Sequence, residues 1–398
     1  MRIALVTGHA SPDPAARRGI SADPRGQALR VAALAGTLAD LGHQVTVYAR
    51  KDSPARPRSE DAAGVRFEYV PAGPAAALPE DKLLPQLGAF SDALAQRWQQ
   101  NPPDVVHAHF WTSGLAALAA TRGTRVPVVQ TFHTLGTPRQ ATVPAPTSVS
   151  APDSVVRARM ERLVARTVRS VLAGNSAELS ELAGLGVPRA SITVVPFGVD
   201  TKRFEPGGPT ARRSKRPRLV AAAPSSEEHG LDTVIRAMAA LPGTELLIAG
   251  GPPRAEIFDD PVLQGLARLA ERAGVSDRVM FTGKMTPVRV PALLRSADLF
   301  VHVASDEPTG ILPVEAMACG TPVVASAEGA DQDAVVDGAT GVLVRPGNPS
   351  ALARRIRQLL SSPMLLEGFG IAAADRARSR YSWERVGQET VAAYERAS

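Results

Sequence analysis

Short runs of β-branched and apolar residues alternate along this chain with longer stretches in which apolar positions recur every three or four residues. The first pattern is that of buried strands and the second that of amphipathic helices, so their alternation predicts βαβ units built around parallel sheets. In the first half, strands are expected at residues 2–7, 43–50, 65–70, 104–107, 126–132 and 192–195, with helices at 27–41, 82–98 and 152–168. The second half repeats the plan, with strands near 219–222, 245–249, 279–282, 299–303, 323–326 and 342–344. Gly, Pro and basic residues interrupt both periodicities at 207–217, which places the domain boundary there. The expected organisation is an α/β domain over residues 1–206, a second over 207–380, and a closing helix over 381–398 that packs back on the first.

A length of 398 residues suits two such Rossmann-like domains, and 44% hydrophobic with 21% charged residues is ordinary for a globular chain. The opening residues Met1–Thr7 lack the basic start, apolar run and cleavage site of a secretory signal, and no stretch supplies the ~20 apolar residues of a spanning helix. The single Cys319 excludes an internal disulfide and fits a reducing cytoplasm, the expected location. A net charge of +6 raises the question of nucleic acid, but 40 of the 45 basic residues are Arg, scattered rather than gathered in a stripe. Codon preference explains them better, and no nucleic-acid partner is expected.

The informative stretch reads Ser305-Asp-Glu307-Pro-Thr-Gly310-Ile-Leu-Pro-Val-Glu315-Ala-Met-Ala-Cys-Gly320-Thr-Pro-Val-Val-Ala325. It places two carboxylates eight positions apart, Glu307 on a turn with Pro308 and Gly310, and Glu315 inside the following helix. A strand ending near Val303 delivers that turn to the carboxyl edge of the sheet, where open α/β folds bind ligands. Helix N-terminal amides from Gly310 onward then suit phosphate, and a carboxylate one turn inward suits ribose hydroxyls. Nucleotide plus phosphate is the natural ligand.

These residues resemble the EX7E signature of the retaining glycosyltransferase family 4, whose members have the GT-B fold of two Rossmann-like domains facing across a donor/acceptor cleft. The likeness extends to Gly42-His-Gln-Val-Thr-Val, Asp104-Val-Val-His107-Ala-His109-Phe-Trp-Thr-Ser-Gly114 and Val126-Pro-Val-Val-Gln-Thr131-Phe-His133-Thr-Leu-Gly136 in the first half. It continues in Val195-Pro-Phe-Gly198-Val-Asp200-Thr-Lys-Arg-Phe204, Ile248-Ala-Gly250-Gly-Pro and Asp337-Gly-Ala-Thr-Gly341, and so covers essentially the whole chain. The motifs are similar to those of actinobacterial members in thiol-cofactor, glycolipid and antibiotic pathways.

The resemblance implies that Glu315 holds the donor ribose and Glu307 the hydroxyls of the transferred sugar, while Thr309, Gly310, Ile311, Leu312 and Gly250 line the donor site. His133 would project toward the donor sugar, and His109 would contact the acceptor. His107 and His109 share a strand face by period two, but without a third ligand at recognisable spacing no metal site is expected. Asp331-Gln-Asp333 looks superficially like a metal-binding DxD, yet it falls where the family has a glycine-rich loop, and a solvated loop is the expected state.

Two departures stand out. The family's first-loop Gly-Gly pair is here Pro24-Arg25-Gly26-Gln27, in which Arg25 either meets an anionic acceptor or faces water. Where relatives read Gly-Arg-x-x-x-x-Lys-Gly, this chain has Ala223-Pro224-Ser-Ser-Glu-Glu-His229-Gly230, without either phosphate-neutralising cation. His229, an Arg from elsewhere, or no group at all takes their place. The implied reaction is front-face transfer from a nucleoside-diphosphate sugar to a small-molecule acceptor, with no metal or other cofactor and with a homodimer left open. A nucleotide-sugar-binding protein with degraded transferase activity is the alternative. A dehydrogenase is disfavoured, since no G-x-G-x-x-G follows the first strand.

Overall fold

The computed structural model describes residues 1–8, 11–12, 24–136, 151–223, 230–304 and 309–398. The chain divides into two compact units. The first comprises the N-terminal segment, Asp23–Pro196 and Val386–Ser398; the second is essentially Phe197–Arg385.

The first unit holds an eight-stranded sheet in the order β3-β4-β2-β1-β5-β6-β7-β8. Its strands are β1 Arg2–Thr7, β2 Gln44–Arg50, β3 Ser59–Ala62, β4 Val65–Val70, β5 Val105–His109, β6 Val128–Thr131, β7 Ser170–Ala173 and β8 Ile192–Val194. All neighbours run parallel except β3, which pairs antiparallel with β4. The second unit has a six-stranded parallel sheet in the order β11-β10-β9-β12-β13-β14. Those strands are β9 Arg218–Ala223, β10 Glu245–Gly250, β11 Val279–Gly283, β12 Leu299–His302, β13 Val323–Ser326 and β14 Gly341–Val344. Apolar cores cover the sheets, as parallel strands buried on both faces require.

Both sheets are doubly wound, and each reverses direction at one point. In the first unit the reversal lies between β1 and β5, and in the second between β9 and β12. The helices Pro24–Asp40 and Trp111–Ala120 follow β1 and β5; Leu231–Met238 and Ile311–Ala318 follow β9 and β12. Their N-termini therefore lie at the two switch points, where such sheets take their ligands.

Several expectations shift. Strands β3 and β7 were not foreseen: β3 is a polar edge strand turned by Ala63 (φ 50°) and Gly64 (φ 74°), and β7 is only four residues long. The helix expected over 82–98 is broken at Pro85 into Glu80–Leu83, a 3-10 turn at Leu84–Gln86 and Leu87–Gln100. Pro24, Arg25 and Gly26, read as a loop, form the first turn of the helix Pro24–Asp40. The division between units falls at Pro196/Phe197 rather than 206/207. Its cause is packing: Val199 and Phe204 are buried in the second unit's core, and the Val199 amide donates to the Tyr381 carbonyl at 2.7 Å. The closing helix Trp383–Ala397 carries Val386 onward into the first unit, where Gly387 lies against Thr37 and the buried Tyr394 reaches β5. Among the described residues no helix is long and apolar enough to cross a membrane.

Candidate active site

In the first unit the site is built at the carboxyl ends of β5 and β6. The register pairs His107 with Val129 and His109 with Thr131, so the alternation of β5 brings both histidines to one face beside β6. Beyond each strand the backbone turns through a conformation that residues with a Cβ rarely adopt. Phe110 has φ 69° and ψ 149°, and His133 has φ 67°. Such positions cost on the order of 1–3 kcal/mol each and persist only where surrounding contacts impose them. Here the Phe110 amide donates to the Thr131 carbonyl at 3.0 Å, and the Phe110 and His133 rings pack with centroids 4.6 Å apart.

These turns bring His109 and His133, which the sequence assigned to separate roles, into direct contact: His109 Nδ1 lies 3.1 Å from His133 Nε2. Both rings are buried. Burial pulls the His109 imidazole down to about 3. Burial, reinforced by His109 and by the Arg30 guanidinium, pulls His133 well below its ordinary value, and burial with the other two histidines does the same to His107. Near neutral pH all three are uncharged, so the contact is one N–H donating to one ring nitrogen. The other nitrogen of His109, Nε2, is buried and has no hydrogen-bond partner among the described residues.

A cluster the sequence reading missed fixes the segment that follows His133. Arg157 donates from Nε to Glu161 at 2.7 Å, and from its terminal nitrogens to Glu80 at 3.1 Å and the Thr134 carbonyl at 3.0 Å. The fully buried Glu161 also accepts from the Gly136 amide at 2.8 Å, and the Trp111 indole N–H donates to Glu80. Burial pushes the Glu161 carboxyl up, and Arg157 opposes it. The only signal was an i,i+4 Arg/Glu pair in an otherwise basic helix.

In the second unit, Gly310 caps the helix Ile311–Ala318 in the left-handed conformation, with φ 61° and ψ 14°. A Cβ there would fall 3.2 Å from the Ala330 Cβ and carbonyl oxygen, so both conformation and space favour glycine. Gly230 caps Leu231–Met238 in the same way (φ 65°), and a Cβ on it would lie 2.2 Å from the Val303 carbonyl oxygen. Gly250, at the end of β10, has φ 108°. Glu315 lies one turn inside its helix and is half-buried. Arg203, not singled out from the sequence, is a cation on which the Glu315 carboxylate acts. Burial lowers the Arg203 pKa, while Glu315 and Asp200 raise it. Thr309 is half-buried and Gly310 buried. Glu307, Pro224 and His229 lie outside the described residues, and Arg25 and Gly26 lie in the first turn of their helix.

The expectation for Asp331 is overturned. It opens a one-turn helix, Asp331–Ala334, is fully buried, and accepts from His302 Nδ1 at 2.8 Å. The Asp333 carbonyl accepts from Arg376 at 2.7 Å and from the Tyr381 hydroxyl at 2.9 Å. The segment is thus tied to β12 and to the helix Pro363–Tyr381 instead of lying in water. Among the described residues no group of three or more His, Cys, Asp or Glu is placed to hold a metal ion. Burial pushes the Cys319 thiol up to about 12, which leaves it protonated and unreactive.

The family model described as "Glycosyl transferase 4-like domain" matches residues 25–198, and "Glycosyl transferases group 1" matches 208–376. The chain is 34% identical over 413 residues to D-inositol 3-phosphate glycosyltransferase of Mycolicibacterium smegmatis, covering 100% of this chain and 91% of the relative. Among solved structures, sucrose-phosphate synthase from Thermosynechococcus elongatus superimposes with a TM-score of 0.83 at 26% identity, over 99% of this chain and 98% of that one. Anabaena HepE in complex with UDP-glucose shares the fold, with a TM-score of 0.71 at 20% identity over 98% of each chain. The chain belongs to glycosyltransferase family 4, and is a nucleotide-sugar-dependent transferase of actinobacterial type with the GT-B fold.

Proposed function

We propose that the enzyme transfers a sugar from a nucleoside-diphosphate sugar to a hydroxyl of a small polar acceptor, with retention of anomeric configuration and without a metal ion. The observation that carries the donor half is the Gly310-capped helix at the β9/β12 switch point, with Glu315 one turn inside it. Its first amides suit the diphosphate, and the Glu315 carboxylate suits two ribose hydroxyls. Glu307 takes the hydroxyls of the transferred sugar, as the family resemblance implies. UDP-sugars are the first donors to test, since UDP-glucose is the ligand of a protein with the same fold. An inositol phosphate is the first acceptor, from the name of the 34% identical relative.

On the acceptor side, the buried His109 Nε2 supports a hydroxyl contact, because an unpaired buried ring nitrogen costs about 1–3 kcal/mol that a ligand can recover. In the transfer, the bond from the anomeric carbon to the leaving phosphate oxygen breaks and the acceptor oxygen bonds to the same face. The acceptor proton passes to the departing phosphate. Negative charge grows on that phosphate as the bond lengthens, and oriented helix amides stabilise it without reorganisation.

The test is turnover of UDP-sugars with inositol phosphate in excess EDTA, with the product's anomeric configuration read by NMR. Turnover with the donor's configuration preserved is expected. An inverted product, or activity lost to EDTA and restored by a divalent ion, would refute the mechanism.

A further inference from the structure

We propose that Tyr394, on the closing helix, is a positioning residue for the His109–His133 pair, acting through His107 and Thr131. This rests on the reading of that pair as part of the active site. The Tyr394 side chain is fully buried, and its hydroxyl lies 2.7 Å from His107 Nδ1. On the far side of the same ring, His107 Nε2 lies 2.9 Å from the Thr131 hydroxyl. Both nitrogens of a buried histidine are thereby held by hydroxyls from two different elements, one of them 287 residues away in sequence. A neutral imidazole offers one donor and one acceptor, and two hydroxyls that can each play either part fix its plane without demanding charge.

The fixed ring sits directly against the site. His107 and His109 have ring centroids 4.2 Å apart, and His109 in turn contacts His133. Thr131 is the register partner of His109 on β6, stands two residues before His133, and accepts at its carbonyl from the strained Phe110. His107 therefore ties β5, β6 and the closing helix together at the level from which His109, Phe110 and His133 project. Packing alone would be served by phenylalanine. The hydroxyl adds a desolvation cost that, among the described residues, its bond to His107 offsets, so its effect is on where that ring stands. Reactive geometry is sensitive to displacements well under an ångström, which makes such support catalytically relevant.

The experiment compares Tyr394→Phe with the intact enzyme in turnover, donor affinity and histidine 15N spectra. Expected are a kcat lower by roughly tenfold or more, an unchanged dissociation constant for the nucleoside diphosphate, and altered ring-nitrogen signals of His109 and His133. Thr131→Val, which removes the other bond to His107, should give the same split and serves if Tyr394→Phe does not fold. Wild-type kcat with only a lower melting temperature in either variant would overturn the proposal. His133→Ala separates the two levels of inference: if it keeps full turnover, the site assignment itself fails, whereas its inactivity beside a fully active Tyr394→Phe removes only the role of Tyr394.

Discussion

Mild acid should destabilise the first unit, and the His109 imidazole sets a calculable part of the effect. Burial holds its pKa near about 3 in the folded chain against an ordinary 6.5. Above pH 6.5 the ring is neutral in both states and stability is full. As pH falls below that value the unfolded chain binds a proton that the folded ring refuses, so stability is lost progressively until the folded pKa is reached. The slope approaches ~1.4 kcal/mol per pH unit for each such histidine. At pH 5, His109 alone should remove about 2 kcal/mol. His107 and His133 are displaced in the same direction and add to it, whereas Glu161, pushed up by burial, opposes it. A single variant isolates the term. Urea unfolding of the intact protein and of His109→Gln, from pH 7.5 to pH 5, should show a slope smaller in the variant by nearly one proton. Equal slopes would mean that His109 is protonated in the folded chain at mild acid pH, and the neutral three-histidine arrangement would fall with it.

Two further substitutions probe the second unit. Glu315→Ala should weaken nucleoside-diphosphate binding by about 1.5–3 kcal/mol, roughly ten- to a hundredfold, since ribose hydroxyls would lose a charged acceptor; an unchanged calorimetric affinity in a folded variant removes Glu315 from the site. Asp331→Ala should lower the melting temperature of this unit by about 3–12 °C, from the loss of a buried charged hydrogen bond worth ~1.5–3 kcal/mol. A melting temperature indifferent to the change would return Asp331 to a solvated loop.

What the sequence disclosed and what it hid divide along a physical line. Periodicity reports which face of an element is apolar, so the strand-and-helix alternation was legible, and the Glu307 to Ala325 stretch placed a helix N-terminus at the sheet edge. Pairing between elements leaves no such trace. That β5 lies beside β6 with His109 opposite Thr131 is a fact of topology, and the contact of His109 with His133 follows from it. Asp331 was misread for the same reason: four residues, Asp331–Ala334, are too few to show a period, and its partner His302 lies on another element, β12. Phe204 was placed in the first domain because its apolar partners in the second unit are spread from Val220 to Tyr381. The closing helix could be foreseen, but not that its Tyr394 would meet a histidine.

The two switch points solve one backbone problem in opposite ways. Each needs a chain that leaves a strand and turns sharply before a helix or loop, at positive φ. In the second unit the residues that cap the helices after β9 and β12 at positive φ are Gly230 and Gly310, and both face backbone atoms that any Cβ would meet at 3.2 Å or less. Glycine is the low-strain answer where the backbone amides themselves are to meet a ligand. In the first unit, Phe110 and His133 occupy that conformation with full side chains. Glycine would relieve their strain, but it would also delete the ring that packs against His133 and the imidazole that meets His109. The strain is tolerable because both rings are buried and the turn is held by the Phe110 amide and by the Arg157–Glu161 contacts that follow it. Side chains held at these strand ends carry this cost, and the glycines of the second unit do not.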